Sequence, residues 1–166
     1  NLASLLKAGL PVPGGLAIGL NAFSDDGSLT VAAKDLVSQG ISNDRLYAVR
    51  SSALAEDAEG ASWAGQFESY LDTKVEDIIA KIELCHNSAK NRAKAYAQDK
   101  DVGDFNIAVV VQEMLKPEYA GVLFTRDPLT GKKQLVVEYV EGLGEELVSG
   151  RADPVRVNLG ENEAVT

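Results

Sequence analysis

The stretch from Val75 to Gln98 constrains this chain more than any other. Val75, Ile78, Ile79, Ile82, Ala89, Ala93 and Tyr96 recur at three- and four-residue steps, so a helix here gathers them into one apolar stripe. Lys81, Lys90 and Lys94 lie among the polar positions. A stripe of that length needs an apolar surface to lie on, and the sequence supplies strands to make one. Three strand signals follow: Ile107 to Met114, Ala120 to Phe124, and Gln134 to Val140. Pro117 separates the first two, and the turn DPLTGK, Asp127 to Lys132, separates the last two. The pattern predicts an α+β fold, with helices packed on a largely antiparallel sheet and the long helix covering one sheet face.

The remaining elements are shorter. Asn1 can cap a helix through Lys7, and Gly9 supplies its stop. Pro11, Pro13 and Gly14 impose an extended turn before the strand-like Leu16 to Leu20. Asp25, Asp26 and Gly27 mark a turn, and Ser28 or Thr30 can cap a helix over Val31 to Ser38 that Gly40 ends. Leu46 to Val49 and Phe67 to Leu71 read as short strands, Gly103 sits in the break after the long helix, and Glu141 to Gly150 read as a loop. Val155 to Leu159 is a final strand. No repeat or low-complexity segment is present.

Composition removes several function classes. A chain of 166 residues suits one domain with a sizeable core. A net charge of -9 and a pI near 4.6 argue against a nucleic-acid binder, which needs a basic face. They leave a nucleotide ligand open, because a phosphate site needs only a few local donors. The single cysteine, Cys85, excludes an internal disulfide and fits a reducing compartment. The longest apolar run, Ile107 to Val111, is too short to span a bilayer, and no basic segment followed by an apolar one marks a signal peptide. The expected location is the cytoplasm, with neither nucleic acid nor membrane as a partner.

Four segments can carry chemistry. Arg50 ends the strand-like run AVR, and its planar fork can clamp two phosphate oxygens or pair with a carboxylate such as Glu56 or Asp57. Ser51 and Ser52 can donate to phosphate or cap a turn. The loop Ala61 to Gln66 has side chains small enough for backbone N–H groups to approach an anion, but it also reads as a glycine turn between strands. It is not a Walker A sequence. Trp63 in that loop can cover a ligand or pack on the protein. Gln112, Glu113 and Met114, at a strand end, can offer backbone groups to a purine edge or can simply lead out of the core. The loop with Glu141, Gly142, Gly144, Glu145 and Glu146 can hold Mg²⁺ or be a solvated acidic loop. His86, the only histidine, falls mid-helix and reads as structural, and Cys85 beside it lacks the partners for a metal site.

Taken together, NLASLLKAGLPVPGG, YAVRSSALAEDAEGASWAGQFESYLDT, IAVVVQEMLKPEYAGVLFTRDPLTG and VVEYVEGLGEELVSGRADPVRV resemble the nucleotide-binding domain of phosphoenolpyruvate synthase and pyruvate phosphate dikinase. They occur in the family's order and cover most of the chain. The resemblance implies an ATP-grasp-like fold, with ATP held between two α+β subdomains. Residues 1–45 would form a reduced first subdomain, and 46–166 the phosphate-loop and adenine-hinge region. Arg50 matches the family's phosphate-contacting arginine, the catalytic member of the set, with Ser51 and Ser52 beside it. Ser62, Ala64, Gly65 and Gln66 match the loop over the phosphates. Gln112, Glu113 and Met114 match the hinge bordering adenine, and Glu138, Gly142, Gly144 and Glu145 a motif lining the same cleft. In the family, ATP with Mg²⁺ phosphorylates a histidine on a separate swivelling domain, which carries the phosphate to a distant pyruvate site.

Three departures qualify that expectation. The family's glycine-lysine element would precede NLASLL, and its Mg²⁺-binding acidic segment and a QxRP-like element would follow residue 166. The stretch from Pro13 to Tyr47 is shorter than usual. No residue of this chain is expected to ligate the metal. With a helix at one end, no initiating methionine, and a strand just before ENEAVT at the other, the expectation is a truncated piece of an ATP-dependent phosphotransferase, catalytically incompetent alone. A non-catalytic nucleotide-binding or regulatory module, and a relative that phosphorylates another acceptor such as an antibiotic or a glucan, are the alternatives.

Overall fold

The computed structural model describes residues 2–53, 69–97 and 107–159. Contacts divide the chain into two units, Asn1–Met114 and Leu115–Thr166, each built on its own antiparallel sheet. The α+β class holds, with the strands shared between two sheets rather than one. The division of contacts falls after Met114, and a strand ladder crosses the 45/46 position.

The first unit contains α1 (Leu2–Lys7), β1 (Gly15–Ile18), α2 (Val31–Gly40), β2 (Tyr47–Ala53), β3 (Ser69–Thr73), α3 (Ile78–Ala97) and β4 (Ile107–Glu113). Its sheet runs in the order β1-β4-β2-β3. The long helix packs on β2, β4 and β3, as its stripe requires. Ile78, Ile82 and Cys85 from α3 meet Val49, Val109 and Val111 from the strands, and Leu29, Ala33 and Val37 extend the same core. Each of these larger side chains contributes about 1.5–3 kcal/mol by leaving water.

Three local differences from the sequence reading have physical causes. Gly40 does not stop α2; it is the helix's last residue, and a Cβ there would come 2.8 Å from Leu16 Cδ2, so the glycine makes room for a core side chain. The stretch Val75–Asp77 forms a single tighter 3₁₀ turn before α3 proper begins at Ile78. Most consequential, β2 does not end at Val49. It runs on through Arg50, Ser51 and Ser52, because β4 pairs with it residue by residue from Tyr47↔Glu113 to Ala53↔Ile107. Pairing with a full-length neighbour overrides the weak strand propensity of serine.

His86 is buried on α3. Its ring stacks on Phe23 at 3.8 Å between centroids, and Nδ1 donates to the Ile107 carbonyl at 3.2 Å. Burial pushes this imidazole below its ordinary 6.5; the Ile107 carbonyl opposes the shift and Lys90 adds to it. The unfolded chain therefore takes up a proton before the folded one does. The stability this neutral ring contributes is complete above about pH 6.5 and is lost as the pH falls from there through the folded value. Urea unfolding midpoints should accordingly drop as the pH falls below about 6.5, and His86→Phe, which retains an aromatic ring to stack on Phe23, should flatten that limb. An equally steep limb in the variant would assign the acid sensitivity elsewhere.

The second unit is a meander of β5 (Tyr119–Phe124), β6 (Leu135–Glu141) and β7 (Val155–Leu159), with a short helix, α4 (Gly144–Val148), between β6 and β7. That helix lies inside what reads from sequence as an acidic loop. Gly142, at φ +82°, makes the turn into it, and its N–H donates to the Glu118 carbonyl at 2.8 Å.

Candidate functional site

Strand alternation sorts the first sheet into two unlike faces. Tyr47 and Val49 of β2, and Val109 and Val111 of β4, enter the core with α3. Ala48, Arg50 and Ser52 therefore share the opposite face. Register places Arg50 beside Val110 on one side and Ser69 on the other, Ala48 beside Gln112, and Ser52 beside Ala108. Arg50 is thus an exposed cation whose immediate neighbours on the sheet are small or uncharged. Among the described residues it has no hydrogen-bond or ion-pair partner. Such a guanidinium keeps its fork of donors for an oxyanion. Glu56 and Asp57, its alternative partners by sequence, lie outside the described residues.

Ser52 joins Arg50 on that face, but Ser51 does not. Its side chain is on the α3 side, where Oγ is buried without a hydrogen-bond partner. Ser62, Ala64, Gly65 and Gln66 lie outside the described residues, as does Trp63. The strands that flank them are informative nonetheless. β2 ends at Ala53, and β3 begins at Ser69, the register partner of Arg50.

Gln112, Glu113 and Met114 are tied back to their own unit. Gln112 Nε2 donates to the Pro13 carbonyl at 3.4 Å, Glu113 N–H to the Gly14 carbonyl at 2.8 Å, and Met114 N–H to the Leu46 carbonyl at 2.9 Å. The Glu113 carboxylate lies over Gly14 and accepts from Arg45. The N–H groups of Glu113 and Met114 are therefore already engaged, so these two donors do not greet a purine edge in this state. Arg45 was not legible as a partner, since it stands 68 residues from Glu113.

In the second unit Glu138 is held rather than free. Arg156 donates to Glu138 Oε1 at 2.8 Å and to Asp127 Oδ1 at 2.7 Å. Asp127 Oδ1 also accepts from the Leu129 N–H at 2.8 Å and the Thr130 N–H at 3.3 Å, which shapes the DPLTG turn. The Leu129 amide first, then Thr130 and the Arg156 guanidinium, hold this carboxyl below its usual range against the opposing effect of burial. Gly144 and Glu145 begin α4, where Glu145 and Glu146 pair with Arg151 at 3.1 and 3.4 Å and raise its pKa. Among the described residues no group of three or more His, Cys, Asp or Glu side chains converges where a metal could sit. Nor is any helix among them long and apolar enough to cross a membrane.

An antiparallel α+β unit that carries Arg50 on the sheet face away from α3, followed by a separate antiparallel meander, has the make-up of an ATP-grasp-like nucleotide-binding domain. Residues 26–165 match the family model described as "Pyruvate phosphate dikinase, AMP/ATP-binding domain", and the chain belongs to that family. It is 35% identical over 182 residues to the "Uncharacterized phosphotransferase YvkC" of Bacillus subtilis, covering 93% of this chain and 22% of that protein. It is 47% identical over 111 residues to a "Probable phosphoenolpyruvate synthase" of Archaeoglobus fulgidus, covering 64% of this chain and 15% of the relative. It is 43% identical over 124 residues to a "Rifampicin phosphotransferase" of Streptomyces sp, covering 72% and 14% respectively. The chain therefore spans less than a quarter of the length of these relatives. The 182 aligned positions with YvkC exceed this chain's 166 residues, so that relative carries extra residues within the matched span.

Proposed function

We propose that this chain binds ATP with the face of its first sheet that lies away from α3, and that Arg50 clamps the phosphates there. The observation that carries the reading is Arg50 itself: exposed mid-strand, among small neighbours, with no carboxylate partner among the described residues. Ser52 adds a hydroxyl to the same face. Ser62, Ala64, Gly65 and Gln66 would close over the phosphates, and Gln112 to Met114 would border adenine. Mg²⁺ is expected with ATP, but the described residues offer it no ligand set. Within them, charge neutralisation at the phosphates falls to Arg50.

In the longer protein that its relatives resemble, the bound ATP would phosphorylate a histidine of a separate swivelling domain, with pyruvate as final acceptor, in the cytoplasm. A second acceptor class is favoured by a specific observation: rifampicin phosphotransferases match this chain about as well as phosphoenolpyruvate synthases do. Titration calorimetry with ATP in the presence of magnesium should give saturable binding that AMP competes away. Absence of saturable binding by any adenine nucleotide would overturn the reading. Pyruvate- and rifampicin-dependent ATP consumption by the longer protein then separates the two acceptors.

A further inference from the structure

Alternation along the strands of the second unit gives its sheet two faces, and their composition is the reverse of what water favours. Register puts Ala120 and Val140, Glu138 and Arg156, and Val136 on one of them. That face is sheltered. The helix α4 lies on it, where a Cβ on Gly144 would come 3.4 Å from that of Ala120, and Val136 and Val140 are buried. It also holds the ion pair between Arg156 and Glu138.

The opposite face is apolar and open. Leu123, Val137 and Val157 stand side by side across the three strands, with Tyr139 beside Val155 in the next row. Tyr119 packs edge-on against Tyr139 at one end, and Leu135 lies at the other. Tyr119 is 62% exposed, Leu123 57%, Val155 52%, Leu135 42% and Val157 38%. Among the strand residues of this face only Glu141 is charged, and it stands at a corner opposite Tyr119, beyond the last pair with β7. An antiparallel sheet with one wet face normally carries its polar side chains there. Here they are on the sheltered side, so the open side has the composition of a contact surface.

Area limits what can cover it. At roughly 50–150 Å² of open surface apiece, these side chains offer about 500 Å², the upper end of what a monomer leaves exposed in one patch. A partner must be apolar, uncharged across its middle and about three strands wide. A second copy of the same face meets each condition, because a two-fold contact uses one patch twice. Two such faces together remove about 1,000 Å² from water, the lower limit for a specific interface, which suits a weak dimer. We propose that this chain self-associates through the open face of its second sheet, two copies packing sheet on sheet about a two-fold axis. The sheets would lie about 10 Å apart, as in a β-sandwich. The two Glu141 carboxylates, at the corners, need not enter the dry middle.

Sedimentation velocity of the whole chain, without nucleotide, tests this from about 1 µM to about 300 µM. The native protein should pass from monomer to dimer within that range and stop at two, since a two-fold contact is closed. Leu123→Lys places an unpaired charge in the middle of the interface, so it should weaken association at least tenfold, an effect of roughly that order or more, and remain monomeric. Val157→Lys should do the same, and serves if Leu123→Lys fails to fold. Their melting temperatures at about 1 µM should match the native one, because both positions face water in the monomer. Leu36→Lys, at a 68% exposed position on α2, should dimerise as the native chain does. A native protein that stays monomeric throughout would overturn the proposal and leave the face to a different partner, such as another part of a longer protein. Dimers that survive both Leu123→Lys and Val157→Lys would place the contact elsewhere and overturn it as well. Growth beyond two copies, or equal loss in Leu36→Lys, would mark unspecific apolar association and do likewise.

Discussion

Replacing Arg50 with alanine should weaken ATP binding about 50-fold, roughly 2.3 kcal/mol, while changing folding stability by no more than about 0.5 kcal/mol. The two halves of that expectation have one origin. Arg50 sits on a strand paired on both sides, but its side chain is on the sheet face away from α3 and outside the core. It has no ion pair to lose among the described residues, so truncation exposes no buried partner. Its loss is then felt only when a phosphate is present. Arg50→Lys should recover part of the affinity, since an ammonium keeps the charge but not the planar fork that meets two oxygens at once. Calorimetric titration of the three proteins, with urea unfolding of each, checks both halves. Native affinity in Arg50→Ala would remove the phosphate clamp from this face. A large loss of stability in the same variant would instead mark the arginine as a structural residue.

The sequence disclosed what rests on local pattern. The α3 stripe, the three strands after it and the DPLTG turn each follow from periodicity or turn chemistry within a short window, and each is found close to its expected place. It concealed what depends on a distant partner. β2 reads as ending at Val49 because serines are poor strand formers, yet pairing with β4 carries it to Ala53 and turns Arg50 from a strand-end residue into a mid-strand one. That shift decides which neighbours it has, and separates Ser51 from it by a whole sheet thickness. Arg45 and Arg156 were hidden for the same reason. Their carboxylates lie 68 and 18 residues away, and only strand register brings them together. Arg156 did leave a trace: a charged residue inside an apolar strand, as Glu138 is in another. Two such residues of opposite sign in neighbouring strands are candidates for a cross-strand pair on sequence alone. Glu145 reads as a loop acid, open to Mg²⁺ or simply solvated, but the turn after α4 returns Arg151 to it, and no local pattern announces that.

Two glycines four positions apart should respond in opposite ways to the same substitution. Gly15→Ala should cost about 3 kcal/mol, at the upper end of what forced overpacking does, whereas Gly19→Ala should be neutral or slightly stabilising. Gly15 opens β1 opposite Gln112, and a Cβ there would come within 2.4 Å of the Val111 carbonyl oxygen and 3.0 Å of Gln112 Cα. Both obstacles are backbone atoms of β4, a strand paired on both sides, so they cannot swing away as a flexible side chain would. The edge strand has to give instead. Glu113 N–H bonds to the Gly14 carbonyl and Gln112 Nε2 to the Pro13 carbonyl, so displacing β1 also loosens Gln112 and Glu113. Gly19 has nothing within 4 Å of its would-be Cβ and an ordinary extended backbone at φ -78° and ψ 170°. An alanine fits there without strain and reduces the freedom of the unfolded chain. Urea unfolding of both variants decides the matter: equal stabilities would mean that β1 does not seat against β4 at Gly15. If the closeness of Gly15 to β4 also matters for the hinge, a more tolerant test is available in the same protein. Gly15→Ala, measured at a temperature where it remains folded, should then bind ATP more weakly than Gly19→Ala does, because Gln112 and Glu113 lose the backbone partners that hold them in place.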